Sequence, residues 1–129
     1  MKTLGVHHVS INVDDLDASI DFYVGQLGLS VRGDRPELAV GGAWLDAGGE
    51  QVHLIVGRPA DAVGQHFALR VDDIDEAVTS LRATGTKVSD PVRIGTDIQC
   101  FLSDPCGNSI ELHQVGAKKR RRTAALAST

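Results

Sequence analysis

The sequence predicts an α+β fold of two tandem βαβββ modules, whose sheets form an open, barrel-like pair around a cleft. Three observations carry that prediction. Residues 8–17, His-Val-Ser-Ile-Asn-Val-Asp-Asp-Leu-Asp, return at 66–75 as His-Phe-Ala-Leu-Arg-Val-Asp-Asp-Ile-Asp. The same step carries Asp46 onto Asp104, Gly49 onto Gly107 and His53 onto Glu111. Each copy passes from a period-two pattern into a helical stripe, and each stripe is followed by three short strand patterns with turn residues between them.

In chain order, residues 4–13 alternate, with Val9, Ile11 and Val13 on one face and His8, Ser10 and Asn12 on the other. Asp14 or Asp15 is placed to cap a helix whose stripe is Leu16, Ile20, Val24 and Leu27, and Gly28 stands where such a helix ends. Strands are expected at 29–33, 38–47 and 51–56, with a Gly48-Gly49 turn before the last. The second module repeats the order: strand 65–71, helix 73–84 with the stripe Ile74, Val78 and Leu81 and a stop at Gly85, then strands near 86–89, 97–103 and 108–115. At 129 residues this is one domain's worth of chain. A single domain is expected over 1–117, with module one at 4–56, a linker at 57–63 and module two at 64–115.

Composition excludes several classes. No apolar run approaches the ~18 residues of a membrane span, and the N-terminus lacks a signal-peptide core. A cytoplasmic protein with no membrane partner is expected. Cys100 and Cys106 do not have metal-knuckle spacing and read as idle thiols in a reducing compartment. Lys118 to Arg122 hold five of the thirteen basic residues. The remaining chain sets eight basic residues against seventeen acidic ones, which argues against nucleic acid as a ligand. The basic run opens a tail, 118–129, expected to be solvated and disordered.

Strand parity turns the repeat into a candidate site. His8, His66 and His53, together with Glu111, fall on the less apolar faces, opposite the residues needed for helix packing. If the two sheets face each other, the four point into one cleft. Three imidazoles and a carboxylate suit a borderline divalent ion: zinc, nickel, cobalt, iron or manganese. His53 is the weakest member of the four: a ligand, a residue behind one, or uninvolved. His7 has the wrong parity and reads as a packed or satisfied histidine, whereas His113 shares the face of Glu111 and reads as cleft lining or a proton shuttle.

These residues resemble the vicinal oxygen chelate superfamily, which includes glyoxalase I, epimerases, fosfomycin-resistance transferases, extradiol dioxygenases and bleomycin-binding proteins. The likeness covers residues 4–115. It rests on His8 to Tyr23, on Gln51-Val-His-Leu-Ile, on His66 to Asp75 and on Asp104-Pro-Cys-Gly-Asn-Ser-Ile-Glu-Leu. It implies paired βαβββ modules, metal ligands at His8, His66 and Glu111, a fourth position at His53, and a homodimer. His53 stands where glyoxalase I-like enzymes usually carry Glu, and Cys106 where the turn usually carries Asp.

The expected function is a metal-dependent glyoxalase-like lyase or isomerase. Its substrate would be a small molecule with vicinal oxygens, converted through an enediolate-like anion, with Glu111 or a metal-bound hydroxide as the base. Asn12, Arg70, Phe101 and His113 are the candidate substrate contacts, and Trp44 and Phe101 could line an apolar part. Two other classes stay open: a drug- or metabolite-sequestering protein of bleomycin-resistance type, and a fosfomycin-type transferase or iron dioxygenase. His8, His66 and Glu111 alone would make the two-His-one-carboxylate triad that suits Fe(II).

Overall fold

The structure, a computed structural model, describes residues 1–61 and 64–116. The expected tail at 118–129 and two residues of the expected linker therefore lie outside the described residues. The element order is β1 (His8–Val13), α1 (Leu16–Ile20) continuing into a π-helical stretch (Asp21–Gln26), β2 (Ser30–Val31), β3 (Gly42–Ala47) and β4 (Glu50–Val56). Then come β5 (His66–Arg70), α2 (Ile74–Ala83), β6 (Val92–Ile94), β7 (Asp97–Ser103) and β8 (Ser109–Gln114). This is βαβββ twice. Two open four-stranded sheets result, ordered β1-β4-β3-β2 and β5-β8-β7-β6. The chain divides into two compact units: Met1–Gln65 with Ser103–Ser109, and His66–Leu102 with the chain from Ile110 onward.

In the first unit β1 runs parallel to β4, while β3 is antiparallel to both β4 and β2. The second aspartate of the Asp-Asp pair caps the helix: the Asp15 carboxylate accepts from the Ala18 N–H at 3.0 Å. The buried face of this helix is Ser19, Phe22 and Tyr23, and the expected stripe of Leu16, Ile20, Val24 and Leu27 is only half-buried beside it. Ser19, Phe22 and Tyr23 are spaced i, i+3, i+4, a helical face one position N-terminal of the expected stripe, and from Asp21 the helix widens into π geometry. Its end closes with the Leu29 N–H on the Tyr23 carbonyl (3.0 Å) and Gly28 at φ +79°. Val13, Ala43, Leu45, Val52 and Leu54 complete this core.

The Ser103–Ser109 turn belongs to the same unit. Asp104 is its hub, with Oδ1 accepting from the backbone N–H groups of Cys106 (2.9 Å) and Asn108 (2.8 Å). Its Oδ2 accepts from the Asn108 side-chain amide (2.9 Å) and from the buried Tyr23 hydroxyl (2.7 Å).

In the second unit Asp73 caps α2 as Asp15 caps α1, accepting from the Glu76 N–H at 3.1 Å. The buried Gln114 amide oxygen takes the N–H of Ile74, a second donor of that helix start, at 2.8 Å. Ile74, Val78 and Leu81 are buried as the stripe predicts, and Gly85 follows at φ +86°. They pack with Ile98, Cys100, Leu102, Ile110 and Leu112. The strand expected at 86–89 shrinks to one bridge, Val88 to Leu102, and pairing with β7 resumes at β6. Pro91 separates the two pieces: it has no N–H for a ladder and disfavours a continuous strand. Both cysteines are free. No helix among the described residues is long and apolar enough to cross a membrane.

Candidate functional site

Each sheet keeps one face for its helix and leaves the other for polar and aromatic side chains. In the first unit that open face carries His8, Ser10 and Asn12 from β1, Gln51 and His53 from β4, and Trp44 and Asp46 from β3. Registry sets Trp44 directly across from His53, and Ser10 on its other side. His53 is sandwiched as a result. Its ring stacks on His8 at 3.9 Å and 14°, and on Trp44 at 4.5 Å and 9°. This stack explains why a histidine on the open face is only 8% exposed.

The His53 Nε2 lies 2.8 Å from the Gln51 side-chain oxygen. That oxygen only accepts, so Nε2 carries the hydrogen and a neutral ring keeps its lone pair on Nδ1. Burial first, and then the nearby His8, His7, Arg32 and Arg35, hold the His53 pKa below its ordinary value of 6.5. A neutral imidazole is the form that binds a metal. His8 is exposed, and its Nδ1 is 2.9 Å from the Nδ1 of His7. His7 is thus exposed rather than packed, and satisfied by its neighbour.

The other expected members of this face have partners of their own. The Asn12 amide donates to the Arg58 carbonyl at 3.0 Å, which ties it to the linker backbone. Asp46, the repeat mate of Asp104, accepts from Arg32 at 2.7 Å, and Arg32 also grips Asp34 at 2.8 Å. Arg35 donates to the Val40 carbonyl at 2.7 Å, and its buried Nε lacks a hydrogen-bond partner among the described residues.

The open face of the second unit is a line of titratable groups. His66 on β5 and Glu111 on β8 meet at 3.0 Å, Nε2 to Oε1. Glu111 is 7% exposed. Its other oxygen is 2.6 Å from Nδ1 of His113, whose Nε2 is 2.8 Å from Oδ2 of Asp97. Asp97 is anchored in turn, its Oδ1 accepting from the Gly116 N–H at 3.0 Å. An imidazole between two carboxylates is best satisfied with both nitrogens protonated. Accordingly Asp97 and then Glu111 raise the His113 pKa above 6.5, and His113 holds Asp97 below its ordinary 3.8. Phe101 on β7 packs edge-on against the His66 ring at 5.3 Å, while Arg70 ends β5 exposed.

The expected residues therefore form two clusters, His8 with His53 in one unit and His66 with Glu111 in the other. Among the described residues, no group of three or more His, Cys, Asp or Glu is assembled as a metal site. The donor chemistry nevertheless fits a divalent ion, most clearly in the second unit. Two ligands at right angles around an ion with ~2.1 Å bonds lie about 3 Å apart, which is the separation of His66 Nε2 and Glu111 Oε1. The stacked rings of the first unit fit less directly. In-plane lone pairs of rings only 14° apart do not converge on one point, so His53 would have to leave the stack to share an ion with His8.

Two residues escaped the sequence reading. Asp97 shares parity with Phe101 on its strand, a signal that could have found it. The role of Gln51 in fixing the His53 tautomer follows from parity two residues away in the same strand.

Residues 5–112 match the family model described as the Glyoxalase/Bleomycin resistance protein/Dioxygenase superfamily. The chain is 33% identical over 119 residues to the lactoylglutathione lyase of Escherichia coli O157:H7, covering 81% of this chain and 88% of that protein. It also matches plant lactoylglutathione lyase relatives, but spans only 35% to 44% of their length. Among solved structures, a glyoxalase family protein from Enterococcus faecalis is 30% identical, with a TM-score of 0.68 over 85% of this chain and 97% of that one. An antibiotic binding protein from Streptomyces sp. CB03234 is 27% identical, with a TM-score of 0.73 over 89% and 98%.

Proposed function

The chain belongs to the glyoxalase/bleomycin resistance protein/dioxygenase superfamily, and from that membership we propose that it is a metal-dependent, glyoxalase-like lyase or isomerase. Its substrate is a small molecule with two adjacent oxygens, of the lactoylglutathione type named for its relatives. The observation that carries this reading is the His66–Glu111 pair, two donors 3.0 Å apart on neighbouring strands. His8, His66 and Glu111 would hold a divalent ion, with His53 as a weaker fourth donor because its ring is engaged on both faces.

A bound ion supplies positive charge that stabilises an anion developing on the substrate's paired oxygens. The protein's own part is positional. Glu111 would be the carboxylate that takes the proton next to the substrate carbonyl, releasing the His66 contact of its Oε1 to do so. Asp46 is committed to Arg32 and Asp104 to its turn, so neither competes for that role. Phe101 supports the His66 ring edge-on, and Arg70, exposed at the end of β5, would meet a polar or anionic end of the substrate.

Elemental analysis of the purified protein beside His66→Ala and Glu111→Gln tests the centre. One divalent ion per site is expected in the wild type and little or none in the variants; full occupancy in both variants refutes the ligand set. Formation of lactoylglutathione from its precursors, followed with the metal-loaded protein, tests the reaction. A second reading, sequestration without turnover, is favoured by one observation. The His8–His53–Trp44 stack offers an aromatic ledge, and the similar Streptomyces protein binds an antibiotic. Tight binding of a planar aromatic ligand by metal-free protein, with no turnover of any vicinal-oxygen substrate, would select it.

A further inference from the structure

We infer that His113 and Asp97 are positioning residues that present a single oriented oxygen of Glu111 to the divalent ion; this rests on the metal reading above. The geometry is a braced carboxylate. Glu111 has one oxygen, Oε1, turned to His66 and the other, Oε2, held at 2.6 Å by His113. Glu111 and His113 are two positions apart on β8, so their Cα atoms are separated by about 6.8 Å along the strand. Contact at 2.6 Å therefore requires both side chains to lean together. What keeps His113 leaning is its other nitrogen, 2.8 Å from Asp97. Asp97 is fixed by the backbone N–H of Gly116 at 3.0 Å and by the Thr96 hydroxyl at 3.4 Å. The chain of contacts thus runs from backbone, through a carboxylate and an imidazole, to the proposed ligand.

The consequence is denticity. A free carboxylate can rotate and bind an ion through both oxygens. With Oε2 held by His113, Glu111 would bind an ion through Oε1 alone. Partners that orient ligands in this way typically contribute ~10–100-fold in metal affinity. Neither His113 nor Asp97 needs to touch the ion or the substrate for this role.

The test is titration of the metal-free, full-length protein with Co2+, read by its visible absorption, for wild type, His113→Gln and Asp97→Asn. Asp97→Asn keeps the shape of the side chain and its Gly116 contact, and circular dichroism establishes that each variant is folded. The wild type should bind one Co2+ per site. Both variants should bind 10–100-fold more weakly and with a weaker absorption band, as Glu111 turns bidentate and the coordination number rises. Wild-type affinity, within twofold, and an unchanged band in both folded variants overturn the positioning role while leaving the metal reading intact. A wild type that binds no Co2+ overturns both.

Discussion

Removing the Tyr23 hydroxyl isolates one contact whose value can be worked from the structure. Tyr23 is fully buried, and its hydroxyl donates at 2.7 Å to Asp104, itself 5% exposed. Tyr23→Phe keeps the ring, its edge-on contact with Phe22 at 5.2 Å and the packed volume, so no cavity forms. What is lost is a hydrogen bond to a charged acceptor, worth about 1.5–3 kcal/mol. Asp104 retains three donors, from Cys106 N, Asn108 N and the Asn108 amide, so its carboxylate is not orphaned. The expected cost therefore sits in the lower part of that range, ~1.5–2 kcal/mol. For a chain of this length that corresponds to a fall in Tm of about 6–8 °C. Urea unfolding should show the same loss as a shift in midpoint at constant slope. A cycle with Asp104→Asn should give a coupling of at least ~1 kcal/mol, because the two groups touch directly. A Tyr23→Phe protein within ~0.5 kcal/mol of wild type, or a coupling near zero, would refute the reasoning.

Three further expectations follow from particular contacts. His53→Phe keeps a ring between His8 and Trp44 but removes both nitrogens; it should fold normally and weaken Co2+ binding by no more than about tenfold, whereas His66→Ala abolishes it, and complete loss in His53→Phe would make His53 a principal ligand. The His113–Asp97 pair sets a pH window in the metal-free protein. The raised His113 pKa contributes stability that is full below 6.5 and fades as pH rises through its folded value, and the lowered Asp97 pKa contributes stability that is full above 3.8 and fades as pH falls through its folded value. The pair therefore stabilises most between those limits; an NMR titration should place the His113 midpoint above 6.5 and Asp97→Asn should lower it, and a midpoint below 6.5 contradicts this. Finally, Gly42→Ala should cost more than ~2 kcal/mol in urea unfolding, because its Cβ would lie 2.2 Å from the Leu54 carbonyl oxygen, while Gly33→Ala, with nothing within 4 Å, should stay within ~0.5 kcal/mol; equal effects would show that β3 and β4 do not approach as described.

The repeat was legible because its signals are local and periodic. An Asp-Asp pair before each helix, a glycine after it and alternation along each strand depend only on near neighbours, and Asp15 and Asp73 occupy equivalent caps. Two expectations failed. In the first helix the aliphatic stripe marked a face one position away from the buried one, which carries Ser19, Phe22 and Tyr23 and is fixed by the Tyr23 hydroxyl on Asp104, a partner distant in sequence. The strand expected at 86–89 is a single bridge at Val88, and regular pairing begins only past Pro91, at Val92–Ile94. At the candidate site, parity gave the face of every residue but not its rotamer. Hence His53 was legible as an open-face histidine, while its burial between His8 and Trp44 was not. Asp97 was hidden for the same reason, since its partner is a side chain on another strand.

The duplication has diverged into two kinds of donor. In module one, His8 and His53 lie among rings and near Arg32 and Arg35, an environment that keeps His53 uncharged. In module two, Glu111 is a carboxylate held on both oxygens, between His66 and an imidazole shared with Asp97. Matched positions thus supply neutral nitrogen from one copy and anionic oxygen from the other. Under the reading proposed above, a donor set without a second carboxylate would leave more positive charge on an ion to stabilise a substrate anion. Under the same reading, a histidine at position 53 offers no carboxylate there to accept a proton. The oxygen braced by His113 and Asp97 is the one turned from His66, so the proposed ligand is fixed from one side and meets its partner histidine from the other.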